Sequence, residues 1–481
     1  MGAILAVSLI RLLVAARYPL TPDESYYWVW SKHLAYGYTD HPPMVAWLIR
    51  LGTALGDGPL AVRLPFIVCE AIAAYAAGRA AMILSGNLVA GTAATLAVLL
   101  IPQGRLAVGE ALPDGPYLAA WAISIWLAAR LSMRASWPAA AALGFSLAGA
   151  ILSRFFGWAV VCGIVAYAVA PSRRALWRQL WISLLIALVL YTPFVCWNAA
   201  HNWSNFAFTF ANRQPMHALS THRLAILSSL RLVVLTALVW LVAYFTVIRP
   251  HLPLLAWTAL PFPTAVALIS FFQTTESYYI LGPLISLCVA VGIAYARQSE
   301  NRRRAWLIVS GIPAAYTLIA VIFVGLPESA QAWALSATRD ALKGPFFSQA
   351  FAFAPLASDA KRLSNGGRVF TDRLEIASEL TYYGVNASIV GAAPQVAQWT
   401  SWYGNRTAQR ALLITFEPLV NTSDLGRRIS ASCARTTAGP ILRHHFAGVA
   451  MVPFYTTWCE HPNTQATGLL FGPAFGTPPD H

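Results

Sequence analysis

Leu180-Trp181-Ile182-Ser183-Leu184-Leu185-Ile186-Ala187-Leu188-Val189-Leu190 lies inside a run, residues 178–197, whose one charge is Arg178. A helix needs about 20 mostly apolar residues to cross a bilayer core. Comparable runs recur at 3–17, 60–84, 87–103, 116–131, 137–152, 155–170, 224–248, 252–272, 278–296 and 305–326. Together they predict about eleven transmembrane helices. The first run is short and holds Arg11. No small-residue cleavage site follows it, and the chain runs straight into Pro19-Leu20-Thr21-Pro22, so it reads as a span and not as a signal peptide.

Composition agrees with a helical membrane protein. Of 481 residues, 57% are hydrophobic and 11% charged, against about 25% charged in soluble domains. Mean hydropathy is +0.56. Disorder is excluded, and continuous apolar runs disfavour a β-barrel, whose strands alternate. The net charge of +14 does not point to nucleic acid, because the Arg clusters fill short gaps between apolar runs. Arg130 and Arg134, then Arg173, Arg174 and Arg178, then Arg249, then Arg297, Arg302, Arg303 and Arg304 fall on one side if every span is real. The positive-inside rule makes that side cytoplasmic.

Seven of nine acidic residues before position 327 then fall on the opposite, outer face: Asp23, Glu24, Asp40, Asp57, Glu110, Asp114 and Glu276. Glu70 lies in a span and Glu300 is cytoplasmic. Carboxylates gathered at one membrane face suggest a site there, although ordinary loop solvation explains Asp57 alone. After about residue 327 the apolar runs shorten. Arg368 to Asp372, Val385 to Val390 and Ala411 to Phe416 read as strands, and Arg373 to Tyr383 as an amphipathic helix stopped by Gly384. The chain thus divides into a membrane domain, 1–326, and a small outer α/β domain, 327–481, with a loose tail from about Asn463.

Cys69, Cys162, Cys196 and Cys288 lie in apolar runs and read as core residues. Cys433 and Cys459 lie in the outer domain, where an oxidising periplasm allows a disulfide; two free buried thiols are the alternative. The sequons at Asn386, Asn405 and Asn421 read as chance matches.

The first outer loop carries the densest chemistry. Pro22-Asp23-Glu24-Ser25-Tyr26-Tyr27-Trp28 opens an aromatic segment, and Gly37-Tyr38-Thr39-Asp40-His41-Pro42-Pro43 closes it. Helix capping and an interfacial aromatic belt would explain these residues one by one. Their aromatics cover more than one helix face, so the helix is expected along the membrane surface, with Asp23 facing a cavity. Glu110-Ala111-Leu112-Pro113-Asp114 and Ser153-Arg154 follow on the same face. Arg154 breaks the positive-inside pattern and wants an anion: a lipid phosphate, Asp23 or Asp114. Glu276, Tyr278 and Tyr279 complete the set. Carboxylates can act as general bases and Arg can hold phosphate. No P-loop or Rossmann fingerprint is present. The set therefore suits an enzyme acting on a lipid-linked phosphate and a polyol.

The stretch Leu20 to Trp28, with Gly37 to Leu48, closely resembles bacterial membrane glycosyltransferases of the GT-C class, relatives of the dolichyl-phosphate-mannose protein mannosyltransferases and of the lipid A aminoarabinose transferase. Leu112 to Pro116, Ser153-Arg154, Pro193-Phe194 through Trp203, Thr371 to Arg373 and Ala377 to Tyr383 are weaker matches. The resemblance implies an all-α polytopic membrane domain with a small extracytoplasmic domain. It also implies transfer from a polyprenyl-phosphate sugar, with inversion, on the periplasmic face of the inner membrane. It makes Asp23 the base, Glu24 and Asp114 its catalytic companions, and Arg154 the phosphate-binding residue, where many relatives have Lys. Tyr26, Tyr27, Asp40, His41, Glu276 and Tyr279 would line the substrate cavity. Some relatives bind a divalent metal near the position of Asp40 and His41; a lone Asp-His step is a weak metal signal, and no obligatory cofactor is expected. The expected acceptor is lipid A, lipopolysaccharide core or another envelope glycan, with a protein acceptor as an alternative. A flippase for lipid-linked sugars, an envelope polymerase or ligase, and a non-catalytic scaffold are the rival classes.

Overall fold

The computed structural model describes residues 1–101, 109–210, 237–248, 251–269, 277–303, 326, 330, 346–391, 394–404, 410–419, 424–446 and 448–462. It is a helical bundle carrying a small mixed sheet. The bundle starts with α1 (Gly2–Arg17) and α2 (Pro22–Lys32), which meet at 85°. Next come α3 (Met44–Gly52), α4 (Pro59–Ser85), α5 (Leu88–Leu99), α6 (Asp114–Met133), α7 (Trp137–Ser153), α8 (Trp158–Ala168), α9 (Trp177–Ala200) and α10 (Ser204–Phe210). After α11 (Ala237–Ile248) follow α12 (Pro253–Ala259), α13 (Pro261–Ile269) and α14 (Leu281–Ala296).

Among the described residues three helices are long and apolar enough to cross a membrane, Pro59–Ser85, Trp177–Ala200 and Tyr278–Ala296, or four if α1 and α2 form one bent span. This is fewer than the eleven runs in the sequence. The 305–326 run and most of 224–248 lie outside the described residues. The 252–272 run is split at Pro261, whose missing N–H cannot continue the ladder, into α12 and α13. The 155–170 run opens with a 3-10 turn, Phe155–Gly157, before α8.

Small residues let the helices approach closely, as helix contacts in an apolar medium require. A side chain on Gly78 would meet Thr95 and Gly91; one on Gly292 would meet Ala90 and Ala94; one on Gly282 would meet Tyr117 and Trp121. Buried hydrogen bonds add specificity: Trp121 Nε1 donates to Ser286 Oγ at 3.0 Å, and Thr258 Oγ1 to the same oxygen at 2.9 Å. Arg11 of α1 pairs with Glu70 of α4 at 2.9 Å, both buried. That pair explains how a charge sits within the first run. Cys69 and Cys288 are partly buried, whereas Cys162 and Cys196 are exposed. The core reading of these last two is corrected: Cys196 is exposed on an apolar helix, and Cys162 lines an open apolar recess with Trp158 and Trp257.

The C-terminal part, expected to be the outer domain, holds α15 (Phe346–Ser364), β1 (Val369–Thr371), α16 (Leu374–Tyr382), β2 (Ala387–Ile389), α17 (Pro394–Tyr403), β3 (Arg410–Thr415), α18 (Asp424–Ser432), β4 (Cys433–Leu442), the short pair β5 (His445–Phe446) and β6 (Val449–Ala450), and β7 (Phe454–Pro462). The main sheet runs β2-β1-β3-β7-β4. Its first three strands are parallel, and β7 runs antiparallel to both β3 and β4. The apolar strands β1 and β2 are buried throughout, as strands covered by crossover helices must be. Gly384 takes φ +76 after α16, a left-handed stop that suits glycine. Cys433 and Cys459 form a disulfide.

One apolar core joins this domain to α2 and the segment after it: Tyr26, Val29, Trp30, Tyr38 and Val45 pack in the same cluster as Ile376, Leu380, Trp399 and Phe454. The aromatics of α2 are therefore covered by protein. This corrects the interfacial-belt reading. Trp30 is fully buried and stacks on Tyr38 at 4.1 Å. Trp28 meets Tyr382 edge-on at 5.1 Å, and His33 stacks on Trp402 at 4.9 Å.

Candidate active site

The site begins at the corner between α1 and α2. Thr21 caps α2, and Pro22 occupies its first turn, where proline's missing N–H costs nothing. Glu24 reaches back in a capping box: Thr21 N donates to Glu24 Oε2 at 2.9 Å. Arg63 of α4 closes on the same carboxylate, Nε to Oε1 at 2.7 Å and Nη2 to Oε2 at 2.6 Å. Its other donors go to the carbonyls of Ala15, Tyr18 and Pro19. All five guanidinium N–H groups are thus engaged. Ala111 N donates to Glu24 Oε1 at 2.9 Å, bringing in the second outer loop. Glu24 and Arg63 side chains are fully buried. Glu24, expected beside the base as a catalytic group, is instead enclosed by protein donors. Its geometry suits holding the 85° corner, and so placing Asp23, one residue earlier.

Asp23 is half-buried in the first turn of α2, where the helix dipole favours a carboxylate. Tyr27, one turn on, is buried and lies within electrostatic range of Asp23, Asp40, Arg154 and Tyr278. Tyr26 donates to Asp40 Oδ2 at 3.2 Å, and the Tyr27 and His41 rings are 6.0 Å apart. Arg154 Nη2 donates to Asp114 Oδ2 at 2.6 Å, both buried. Asp114 begins α6 without capping it through its side chain; its carboxylate goes to the ion pair instead. The Tyr278 ring lies 4.9 Å from the Arg154 guanidinium, a cation–π contact. Tyr279 is buried against Phe156 at 4.5 Å. Glu276 lies outside the described residues.

The loop bearing Asp40 is gripped from two sides. Asn205 of α10 donates to the carbonyls of Tyr38 at 2.9 Å and Thr39 at 3.2 Å, and Gln398 of α17 accepts from Thr39 N at 3.2 Å. The left-handed residues Asn202 and Trp203, both at φ 53, turn the chain from α9 into α10 to make this reach. Among the described residues no group of three or more His, Cys, Asp or Glu side chains is arranged to hold a metal, at Asp40 and His41 or elsewhere. Asp57 is solvated as expected, held by Lys32 at 2.6 Å and Trp28 at 3.2 Å. The Lys32 hydrogen bond lowers its pKa.

Beside Arg154, residues 155–166 and 257–265 enclose an apolar cavity of about 390 Å³, its walls including Phe155, Phe156, Trp158, Trp257 and Phe262. One end of the site is therefore polar and charged, and its neighbour is a hydrocarbon-like recess.

Residues 40–197 match the family model described as dolichyl-phosphate-mannose-protein mannosyltransferase. A curated relative, the lipid A galacturonosyltransferase RgtD of Rhizobium johnstonii, is 30% identical over 184 residues. That alignment covers 37% of this chain and 38% of the relative, so the chain spans well under half the length of the curated protein it matches. Two crystal structures of ArnT from Cupriavidus metallidurans share the fold. The apo form gives a TM-score of 0.64 at 16% identity, covering 95% of this chain and 97% of that one. The form bound to undecaprenyl phosphate gives 0.60 at 16% identity, with the same coverage. The two ArnT likenesses show that the chain shares the ArnT fold.

Proposed function

We propose that this protein is an inner-membrane glycosyltransferase that moves a sugar from a polyprenyl-phosphate carrier to an envelope acceptor on the periplasmic face. The observation that carries the reading is the meeting of Asp23, Tyr27, Asp40 and the Arg154–Asp114 pair beside an apolar cavity. A charged phosphate and a long hydrocarbon need those two environments side by side.

In the proposed step the acceptor hydroxyl attacks the anomeric carbon. Its proton passes to Asp23, the bond from that carbon to the phosphate oxygen breaks, and polyprenyl phosphate leaves with the electron pair. Attack opposite the leaving group inverts the centre. Arg154 faces the departing phosphate. Among the described residues its Nε has no hydrogen-bond partner, which leaves a charged donor for a phosphate oxygen. Asp114 holds the guanidinium in place from the other side. No nucleotide has to be bound, so no metal clamp is required.

RgtD, by its name, is a lipid A galacturonosyltransferase, which favours a lipid A or core acceptor and a hexosyl or uronosyl donor here. The mannosyltransferase match keeps a protein acceptor as the second reading. Mass spectrometry of lipid A, lipopolysaccharide core and envelope proteins from a deletion strain separates them. A hexose or uronic-acid mass lost from lipid A or core and restored by the gene supports the first reading. The same loss from envelope proteins supports the second, and unchanged masses in every pool oppose both.

A further inference from the structure

Glu379 is fully buried on α16, and the site chemistry does not use it. It faces the first turn of α2 across the seam between the outer domain and the membrane domain. Its apolar neighbours Ile376, Ala377 and Leu380 belong to the core that includes Tyr26, Val29 and Trp30. The groups facing it are few. From α2 come Ser25 and Glu24, and from α4 comes Arg63. On its own helix and just beyond it are Tyr382 and Tyr383. Lys361 of α15 points away, to the Tyr383 carbonyl at an exposed position.

None of these supplies what a carboxylate needs. Among the described residues facing it, Arg63 is the one cation, and all its donors are committed to Glu24 and to backbone carbonyls. Ser25 lies beside the Glu379 carboxyl, but its single proton goes to the Pro22 carbonyl at 2.9 Å. The Ser25 oxygen therefore offers lone pairs. Among the described residues neither Glu379 oxygen has a hydrogen-bond donor of good geometry. An unpaired buried carboxylate costs several kcal/mol. A carboxylic acid avoids that cost and carries a proton that a lone pair can accept.

We infer that Glu379 is a neutral, proton-bearing acid that latches the outer domain onto the first turn of α2, and so positions the segment carrying Asp23. Burial pushes its carboxyl well above the usual carboxylate range; this outweighs the adjacent Ser25 hydroxyl and the Arg63 charge, which act the other way, and the nearby Glu24 charge adds to the rise. An acid with a raised folded-state pKa gives stability that is complete below its unfolded pKa and is lost as pH rises through the folded value. The latch is complete in acid and weakens as pH rises through the folded-state value.

The inference stands whatever reaction the protein performs, and its test needs no substrate. Infrared difference spectra of the full-length protein, wild type against Glu379→Gln, are recorded at neutral pH, with hydrogen exchange followed in α2 and α16 across pH. We expect a protonated-carboxyl C=O band in wild type that is absent from Glu379→Gln. Exchange protection in α2 should fall with rising pH in wild type and stay flat in Glu379→Gln, since the amide also donates. Glu379→Ala should lower that protection about tenfold in acid, where the wild-type latch is complete, with the difference shrinking as pH rises; tenfold is the scale of a buried polar group losing its partner. No acid band in wild type, or a Glu379→Gln variant as loose as Glu379→Ala, would overturn the latch. The infrared comparison decides the matter even if Glu379→Ala does not fold.

Discussion

Arg63 and Glu24 form a two-point ion pair with no exposed side-chain surface, and the same guanidinium ties down three carbonyls at the end of α1. Removing one partner of such a pair strands a buried charge, at a cost of about 3–5 kcal/mol. Arg63→Met and Glu24→Gln should each destabilise the protein on that scale in denaturant titrations. The double variant should recover part of the loss. Transfer should fall in both single variants because Asp23 loses its support. A single variant of wild-type stability would mean that the corner is held by other contacts.

Arg154 should behave differently, because its charge is assigned to the donor. Arg154→Ala should weaken binding of polyprenyl phosphate roughly ten- to hundredfold, the range for a lost charged hydrogen bond. Arg154→Lys should recover part of this, since it keeps the charge but not the planar fork. Titration of purified protein with a short-chain polyprenyl phosphate measures it. Unchanged affinity in Arg154→Ala would leave the Asp114 pair as purely structural.

The Cys433–Cys459 disulfide closes a loop of sequence separation 26 in the outer domain. A chain-entropy treatment of a loop that size gives about 3.5 kcal/mol. Cys433→Ala with Cys459→Ala should lower the stability of the sheet by that order. Reductant should do the same to wild type and nothing further to the double variant. Equal unfolding midpoints with and without reductant in wild type would contradict this.

His33 gives the docking seam a second pH dependence, opposite in sign to that of Glu379. Its ring stacks on Trp402 at 4.9 Å and meets Tyr403 edge-on at 5.1 Å, and burial lowers its pKa. A histidine with a depressed folded-state pKa gives stability that is present above its unfolded value, about 6.5, and is lost as pH falls through the folded one. Exchange protection around α17 should therefore decline in mild acid, and His33→Phe should remove the decline. A His33→Phe profile identical to wild type would exclude this ring as the source.

The sequence showed part of this and concealed part, for identifiable reasons. Asp23, Asp114 and Arg154 stand out because charges are scarce between apolar runs, and Asp114 is one of the anions within the sequence's reach of Arg154. Arg63 also lies in an apolar run, and the same rule, that such a charge wants a partner, applies to it. Thr21 with Glu24 three residues on is also a readable capping box, and together these signals point to the enclosed, paired carboxylate that the structure shows. The grip of Asn205 and Gln398 on the Asp40 loop, and the cover of Trp402 over His33, join residues more than 160 apart in sequence. No local periodicity encodes such contacts. The strands of the outer domain were visible as short apolar runs, but their order β2-β1-β3-β7-β4 depends on crossovers that a single sequence does not display.

The central claim is that Asp23 takes the acceptor's proton during sugar transfer from a lipid phosphate. Its most direct test is single-turnover transfer by purified wild-type and Asp23→Asn protein, using defined polyprenyl-phosphate sugars and lipid A, with product mass and donor binding measured together. The account predicts product from wild type, and from Asp23→Asn unchanged donor binding with product formation abolished. Near-normal product formation by Asp23→Asn would contradict it.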